Sequence, residues 1–106
     1  MVNRFDVYLV NLDAEVTKDA KNTRPCVVIS PDEINRNVGH VVIAPISSSS
    51  AQYPTRVPVQ LLNSERFIVL DQIRTVDKER LVKKIGEIDR VAQKSTLDCL
   101  QEFFAE

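Results

Sequence analysis

Two polar residues and one polar cluster stand directly beside apolar, strand-like runs, and these positions are the best placed in the chain to do chemistry. Arg24 precedes one such run and Ser47 follows another; a third run is followed by Asp71, Gln72 and Arg74. An arginine between a polar loop and a buried strand has a fixed base, and its planar guanidinium can bind a phosphate through two hydrogen bonds. The residues alone leave two alternatives open: a surface ion pair for Arg24 and a structural turn for the cluster.

The residue types and their spacing do not favour metal catalysis, a Ser-His-Asp triad or nucleotide binding. His40 is the one histidine, and it lies in a predicted helix-to-strand turn without an acidic or cysteine partner at metal-ligand spacing. We therefore predict no metal site and no Ser-His-Asp triad. Two glycines cannot build a phosphate-binding loop, so no nucleotide cofactor is expected either. Cys26 and Cys99 lie far apart in the sequence, which predicts neither a zinc site nor a disulfide and suits a reducing cytoplasm.

Several short strands are predicted to position these residues. Apolar runs rich in β-branched residues, together with alternating segments, predict strands over 5–12, 26–29, 41–46, 56–60, 67–70 and 83–88. Pro58 places its strand at a sheet edge, because proline cannot donate a ladder hydrogen bond. The charged stretch 13–23 shows no sustained period and is predicted to be a long loop.

Two helices complete the expected fold. A short helix over 31–37 is predicted to be capped by Ser30 and ended by Gly39. An amphipathic helix over 91–104 follows from apolar residues at three- and four-residue spacing, and we expect its terminal phenylalanines to dock on the core. No strand–helix–strand rhythm appears, so the prediction is an α+β fold built on a small, mostly antiparallel, partly open barrel.

The composition bounds the kind of protein. A chain of 106 residues and 12.0 kDa predicts one domain over 1–106. Fourteen basic and 15 acidic residues give a net charge of −1, which excludes a globally basic nucleic-acid binder and requires any polyanion to meet a local patch. No apolar run approaches the ~20 residues of a membrane span, and no signal peptide is visible, so we expect a cytoplasmic protein without a membrane partner.

Four blocks of residues, in their order and spacing, give the chain a clear family likeness. The blocks are Asp6-Val7-Tyr8-Leu9-Val10 with Leu12-Asp13; Thr23-Arg24-Pro25 with Val27-Val28-Ile29-Ser30-Pro31 and Asn35-Arg36; Ile43-Ala44-Pro45-Ile46-Ser47; and Leu70-Asp71-Gln72-Ile73-Arg74-Thr75-Val76-Asp77. With these blocks the chain resembles the MazF/PemK (Kid) toxins of bacterial type II toxin–antitoxin modules from about residue 4 to residue 105.

The resemblance implies a fold and an activity. The implied fold is an SH3-like, mostly antiparallel barrel with short helices and a C-terminal α-helix, acting as a homodimer. The implied activity is that of an mRNA interferase, a metal-independent endoribonuclease that cuts single-stranded RNA at short sequences. The family's catalytic arginine falls on Arg24, and its catalytic hydroxyl, usually a threonine, falls on Ser47. The acidic-Gln pair that contacts RNA in some members falls on Asp71 and Gln72.

Further substrate-binding residues are expected in the first loop and beside the last cluster. Lys18, Lys21 and Arg24 form a basic group that Arg56 and Arg74 can join. So few positive charges in each subunit suggest that a complete RNA groove needs two chains.

The chain departs from the family pattern at several positions. Asp19 and Asn22 stand where the family has a glutamate and a glycine in the first loop, Lys18 replaces a histidine found in some members, and Thr17 replaces another glycine. Just before the first strand, the family has Arg-Gly where this chain has Arg4 and Phe5. The loop departures bear on sequence preference.

A mechanism follows from the chemistry of RNA, which carries its own nucleophile. The 2′-hydroxyl attacks the adjacent phosphorus and gives 2′,3′-cyclic phosphate and 5′-hydroxyl ends, while the protein aligns the groups and stabilises charge. The implied partner is a MazE-like antitoxin whose disordered, acidic C-terminal tail covers the RNA site. Two alternatives stay open: a gyrase-inhibiting toxin of the CcdB type, and an inert homologue that only binds nucleic acid or antitoxin.

Overall fold

The computed structural model describes residues 1–12, 23–48 and 55–105. The four loop residues predicted to bind substrate, Lys18, Asp19, Lys21 and Asn22, lie outside these ranges. Within the ranges, the elements are strands β1 (Asp6–Asn11), β2 (Thr23–Val28), β3 (His40–Ser47), β4 (Arg56–Leu61), β5 (Ser64–Val69), β6 (Arg74–Asp77) and β7 (Leu81–Glu87), helices α1 (Asp32–Asn37) and α2 (Arg90–Phe103), and 3-10 turns at Leu70–Gln72 and Lys78–Arg80.

The strands form one curled sheet in the order β4-β5-β3-β2-β1-β7, with β6 also paired to β3. Every pairing is antiparallel. The predicted α+β fold on a mostly antiparallel sheet is therefore confirmed. The edge position that Pro58 predicted is also confirmed, because β4 is the last strand of this order. Strand β3 pairs with three neighbours, which makes it the centre of the sheet.

The central strands β2 and β3 are buried on both faces of the sheet. Val27 and Ala44 belong to one apolar cluster, whereas Val28 and Ile43 belong to a second cluster behind them. All four are 0% exposed. Because neither face meets water, these segments are continuous apolar runs rather than alternating ones. Full burial of each such side chain contributes about 1.5–3 kcal/mol to stability.

The chain enters β1 through an unusual backbone conformation at Phe5. Its φ angle is +75°, in the left-handed region that glycine adopts without strain. The amide of Phe5 donates to the carbonyl of Val28, and its carbonyl accepts from the amide of Ile88. Its ring is 9% exposed and packs in the larger core cluster. Phe5 thus joins the ends of β2 and β7 at a position where the resemblance expects glycine.

The expected cap of the short helix is wrong. The N-cap position of α1 is Pro31, and no side chain caps the helix. The Ser30 hydroxyl instead donates to the Asn35 side chain at 2.5 Å and accepts from the backbone amide of Val42 at 3.1 Å. These hydrogen bonds of Ser30 connect α1 to β3. Since Pro31 occupies the N-cap position, the helix begins one residue later than predicted. Gly39 does follow the helix end, one residue beyond the C-cap Val38.

The C-terminal helix has the predicted extent but presents a different face to the core. Its fully buried residues are Ala92 and Thr96. The predicted docking of the terminal phenylalanines is wrong, since Phe103 is 45% and Phe104 is 66% exposed. Asp89 caps this helix by accepting from the amide of Ala92 at 2.8 Å. No helix within the described residues has the length and apolar character needed to cross a bilayer.

Candidate active site

The pairing of β2 with β3 brings Arg24 and Ser47 together. Cys26 lies opposite Pro45 in the antiparallel register. Continuing this register by two residues places Arg24 opposite Ser47, at the ends of two central strands whose interiors are buried. Arg24 is exposed and Ser47 is half-buried, so both side chains can reach solvent from a rigid base. Residues from separate blocks of the sequence, 23 positions apart, thus become neighbours.

A groove of about 730 Å³ opens at this end of the sheet. Its surface is rich in guanidinium, hydroxyl and amide groups, which are the donors that bind phosphate oxygens and base edges. The residues that line it are Leu12, Thr23, Arg24, Pro25, Pro45, Ile46, Ser47, Ser48, Arg56, Arg66, Val69 and Gln72.

Asp71 stands beside the groove and acts on it through Arg56. Its carboxylate lies 3.5 Å from Nε of Arg56 and accepts a hydrogen bond of 3.0 Å from the hydroxyl of Thr55. The Arg56 side chain is 15% exposed, whereas that of Asp71 is 38% exposed. Asp71 therefore neutralises part of the positive charge of Arg56 and fixes where that guanidinium lies in the groove.

Arg74 lies on the other flank of the central strands. It pairs with Ile43 across β6 and β3 and is exposed. Burial raises the pKa of the Cys26 thiol to about 12, while the positive charges of Arg74 and Arg24 act in the opposite direction. The thiol donates a weak hydrogen bond to the carbonyl of Arg24 at 3.7 Å. Cys26 is thus a protonated, buried group beneath the two arginines rather than a nucleophile.

The sequence-predicted site residues divide into three groups. Arg24, Ser47 and Gln72 line the groove. Asp71 and Arg74 lie next to it and are not part of its lining. The four loop residues lie outside the described ranges. Sequence reasoning missed Arg66, whose place in the groove depends on the long-range pairing of β3 with β5.

The single histidine is far from this groove. His40 begins β3 and pairs with Asp77, whereas Ser47 ends the same strand. Seven residues of extended chain span roughly 23 Å. The described ranges also contain no group of three or more His, Cys, Asp or Glu side chains placed to hold a metal ion.

Comparison with known proteins shows to which family the chain belongs. Residues 3–104 match the family described as PemK-like, MazF-like toxins of type II toxin–antitoxin systems. The chain belongs to this family. It is 35% identical over 91 residues to the endoribonuclease MazF of Staphylococcus epidermidis, an alignment that covers 80% of this chain and 76% of that protein.

Solved structures of MazF-like toxins have the same fold. A mycobacterial endoribonuclease in complex with its cognate antitoxin superposes with a TM-score of 0.82 at 20% identity, covering 96% of this chain and 93% of the other. A MazE–MazF structure from Deinococcus radiodurans superposes with a TM-score of 0.80 at 19% identity, covering 98% and 95%. The curled half-barrel with a C-terminal helix, which the resemblance implied, is confirmed by these likenesses.

Proposed function

We propose that this chain is the toxin component of a type II toxin–antitoxin system and an endoribonuclease that cuts single-stranded RNA within the arginine-lined groove. The observation that carries the proposal is that Arg24 and Ser47, at the ends of β2 and β3, line one groove. The 35% identical MazF of S. epidermidis bears the name endoribonuclease, which supports the same activity.

The reaction uses a nucleophile that the substrate supplies. The 2′-oxygen forms a bond to the adjacent phosphorus, its proton passes to a base, and the bond from phosphorus to the 5′-oxygen breaks. The departing 5′-oxygen takes up a proton and becomes a hydroxyl, while the other fragment ends in a 2′,3′-cyclic phosphate. Because no water is consumed in this step, the protein has only to align the atoms, stabilise charge and assist two proton transfers.

Arg24 suits the stabilisation of charge at phosphorus. Negative charge builds on the non-bridging oxygens as the 2′-oxygen attacks, and a guanidinium fork can donate to two of them at once. A guanidinium stays protonated at neutral pH, so it acts here as a fixed positive charge rather than as a base. Preorganised donors of this kind typically account for a factor of about 10²–10³ in rate each.

Ser47 contributes a hydroxyl next to that guanidinium. One hydroxyl can donate to a phosphoryl oxygen or to the departing 5′-oxygen, and it can accept from Arg24. Threonine at this position would add a methyl group and keep the hydroxyl. Gln72 offers both amide donors and a carbonyl acceptor on the same groove, and these can read the edge of an unstacked base.

A cognate antitoxin would inhibit the enzyme by occupying the groove. Solved relatives include a mycobacterial endoribonuclease bound to its cognate antitoxin and a MazE–MazF assembly. An acidic, disordered C-terminal tail matches the arginines of this groove in charge and can compete with RNA phosphates for them. We further propose that the chain acts in the cytoplasm as a homodimer, in which two grooves combine to hold the strand.

Substitution at the two central residues tests the assignment. We expect Arg24→Ala and Ser47→Ala each to lower the cleavage rate about 10²–10³-fold, and Ser47→Thr to retain most of it because the hydroxyl is kept. Arg90→Ala and Ser64→Ala, two exposed positions outside the groove, serve as matched controls. Equal RNA decay by the wild-type and Arg24→Ala chains would instead support an inert homologue. Inhibition of DNA supercoiling without RNA cleavage would support a gyrase inhibitor.

A further inference from the structure

Arg66 lines the groove but has no role in the family motifs or in the proposed mechanism. It lies on β5, lines the same groove as Arg24, and is half-buried. Its Nε atom is buried and has no hydrogen-bond partner within the described residues. The terminal nitrogens of Arg66 are not buried in this way and make no hydrogen bond or ion pair within the described residues, so they can donate to an anionic oxygen in the groove.

Arg66 and Arg24 line the same groove from the two strands that flank β3, β5 and β2. Ser47 of β3 lies opposite Phe67 of β5. Continuing that register by one residue places Ser48 opposite Arg66, on the edge of β3 that faces away from β2. The backbones of Arg24 and Arg66 are therefore about two strand spacings apart, roughly 10 Å. A stacked RNA strand advances about 3.4 Å for each nucleotide, so this distance corresponds to at most about three nucleotides.

The third arginine of the groove is in a different electrostatic situation. Arg56 is paired with Asp71, which offsets part of its charge. No ion pair of Arg66 is present in the part of the chain that the structure describes. Since each nucleotide of RNA carries one phosphate, a strand that runs along the groove from Arg24 past Arg66 brings a second phosphate close to Arg66. A base contact is possible only at particular sequences, whereas this phosphate contact is available at all of them.

We propose that Arg66 binds a second phosphate of the same RNA strand, within about three nucleotides of the one that Arg24 contacts. This inference rests on the proposed function, because it assumes that RNA occupies the groove. Arg66 is then a positioning residue: it holds the strand so that the bond to be cut lies at Arg24 and Ser47. The contact contributes affinity and alignment at every sequence, and it leaves the choice of base to other groups.

Binding of a non-cleavable RNA tests the inference directly. The probe is an RNA oligonucleotide containing a mapped cut site, with 2′-deoxyribose at that site and with each phosphate in turn replaced by an uncharged methylphosphonate. Dissociation constants are measured for the wild type and for Arg66→Gln, Arg66→Lys and Arg90→Gln. The last variant removes the same charge at an exposed position outside the groove. Thermal unfolding of each variant shows that it is folded.

The expected result is a selective weakening of binding. Arg66→Gln binds the probe about tenfold more weakly. Its plot of log affinity against log salt is shallower by about 0.7, because this variant neutralises one phosphate fewer than the wild type does. One methylphosphonate position near the cut site weakens binding by the wild type and has no further effect on Arg66→Gln. Arg66→Lys keeps the charge and therefore retains the salt dependence of the wild type. Arg90→Gln behaves as the wild type at every position.

Three results would overturn the inference. Equal weakening of the wild type and Arg66→Gln at every neutralised phosphate would mean that Arg66 contacts none of them. An unchanged salt dependence with an altered base preference would make Arg66 a reader of bases instead. Unchanged affinity in Arg66→Gln would leave Arg66 without a part in binding. Failure of the proposed function looks different, because the wild type itself would then neither bind nor cut the unmodified RNA.

Discussion

Replacement of Phe5 by alanine and by glycine should reverse the usual order of stability of these two residues. Glycine in a strand is normally less stable than alanine by about 0.5–1 kcal/mol, because it loses more backbone freedom on folding. Phe5 has a φ of +75°, however, and there a Cβ atom is disfavoured. We therefore expect Phe5→Gly to be the more stable of the two variants, although both are less stable than the wild type.

The magnitude follows from two separate contributions. Both variants lose the buried ring of Phe5, which is 9% exposed, and truncation of a buried phenylalanine to alanine costs about 3–5 kcal/mol. The alanine variant also keeps a strained backbone worth about 1–2 kcal/mol, whereas glycine removes this strain at an entropic cost of about 0.5–1 kcal/mol. The difference should favour glycine by about 1 kcal/mol. The backbone hydrogen bonds from Phe5 to Val28 and Ile88 fix the conformation in which the comparison is made.

Urea unfolding of the two variants measures this difference. In thermal unfolding, a difference of about 1 kcal/mol in the free energy of unfolding corresponds to several degrees in Tm for a domain of this size. Val27, fully buried on β2 and regularly paired on both sides, provides the matched control, because Val27→Gly should be less stable there than Val27→Ala. An alanine variant at position 5 as stable as the glycine variant, or more so, would refute the reasoning from backbone strain.

Three further predictions concern titratable groups. With its pKa raised to about 12, Cys26 should resist iodoacetamide at pH 8 in the folded protein, where roughly one thiol in ten thousand is ionised, while the less buried Cys99, whose pKa burial also raises, should react faster. His40 lies at the far end of β3 from the groove, so His40→Gln should leave the pH dependence of cleavage unchanged. The carboxylate of Asp6 raises the pKa of Lys84 through an ion pair of 3.2 Å, so Lys84→Met should lower the urea midpoint at pH 8. Its stabilising effect is complete below the ordinary lysine pKa of 10.5 and is lost as the pH rises through the raised value.

Each of these predictions has its own control. Unfolding in urea should make both cysteines react, and rapid labelling of Cys26 in the folded chain would contradict its burial. A pH profile that loses an inflection in His40→Gln would place the imidazole in the reaction after all. For Lys84, a difference between variant and wild type that persists unchanged above the raised pKa would show that the ammonium charge is not its cause. Lys94→Met, which removes an exposed lysine on α2, serves as the matched control.

Much of the fold could be predicted because its signals are local. The continuous apolar runs around Val27 and Ile43 correctly indicated strands, and Pro58 correctly indicated an edge. Asn63 is also a local signal, because asparagine is common in the tight turn that it forms between β4 and β5, where Leu62 and Asn63 both have positive φ angles, of 53° and 64°. A two-residue hairpin loop requires this conformation, and asparagine tolerates it well.

The features that sequence reasoning missed depend on distant contacts. Ser30 has the residue type of a helix cap, but its hydroxyl bonds Asn35 and the amide of Val42. Phe104 continues the helical spacing of Leu97 and Leu100 and is nevertheless exposed, whereas the polar Thr96 takes a buried position on α2. Phe5 adopts a conformation that its residue type disfavours, and only its hydrogen bonds to two other strands explain it.

The residues of the candidate site also differ in whether local sequence signals could reveal them. Arg24, Ser47 and Gln72 could be found because they lie in motifs beside predicted strands, and the structure brings all three to one groove. The ion pair of Asp71 with Arg56 and the position of Arg66 could not be found, because both require the pairing of strands that are distant in sequence. Strand β3 pairs with β5 at Ile46 and Ile68, both members of the larger core cluster, and no short motif encodes this pairing.

The central claim is that the substrate's own 2′-hydroxyl cuts the strand at Arg24 and Ser47. It is tested most directly by mapping the ends of RNA cleaved by the purified chain in EDTA, beside the same RNA with 2′-deoxyribose at the mapped cut site. We predict 2′,3′-cyclic phosphate and 5′-hydroxyl ends, cleavage that continues in EDTA, and no cleavage at the deoxy position. Cleavage of the deoxy substrate at the same bond, or products with 5′-phosphate ends, would contradict the account.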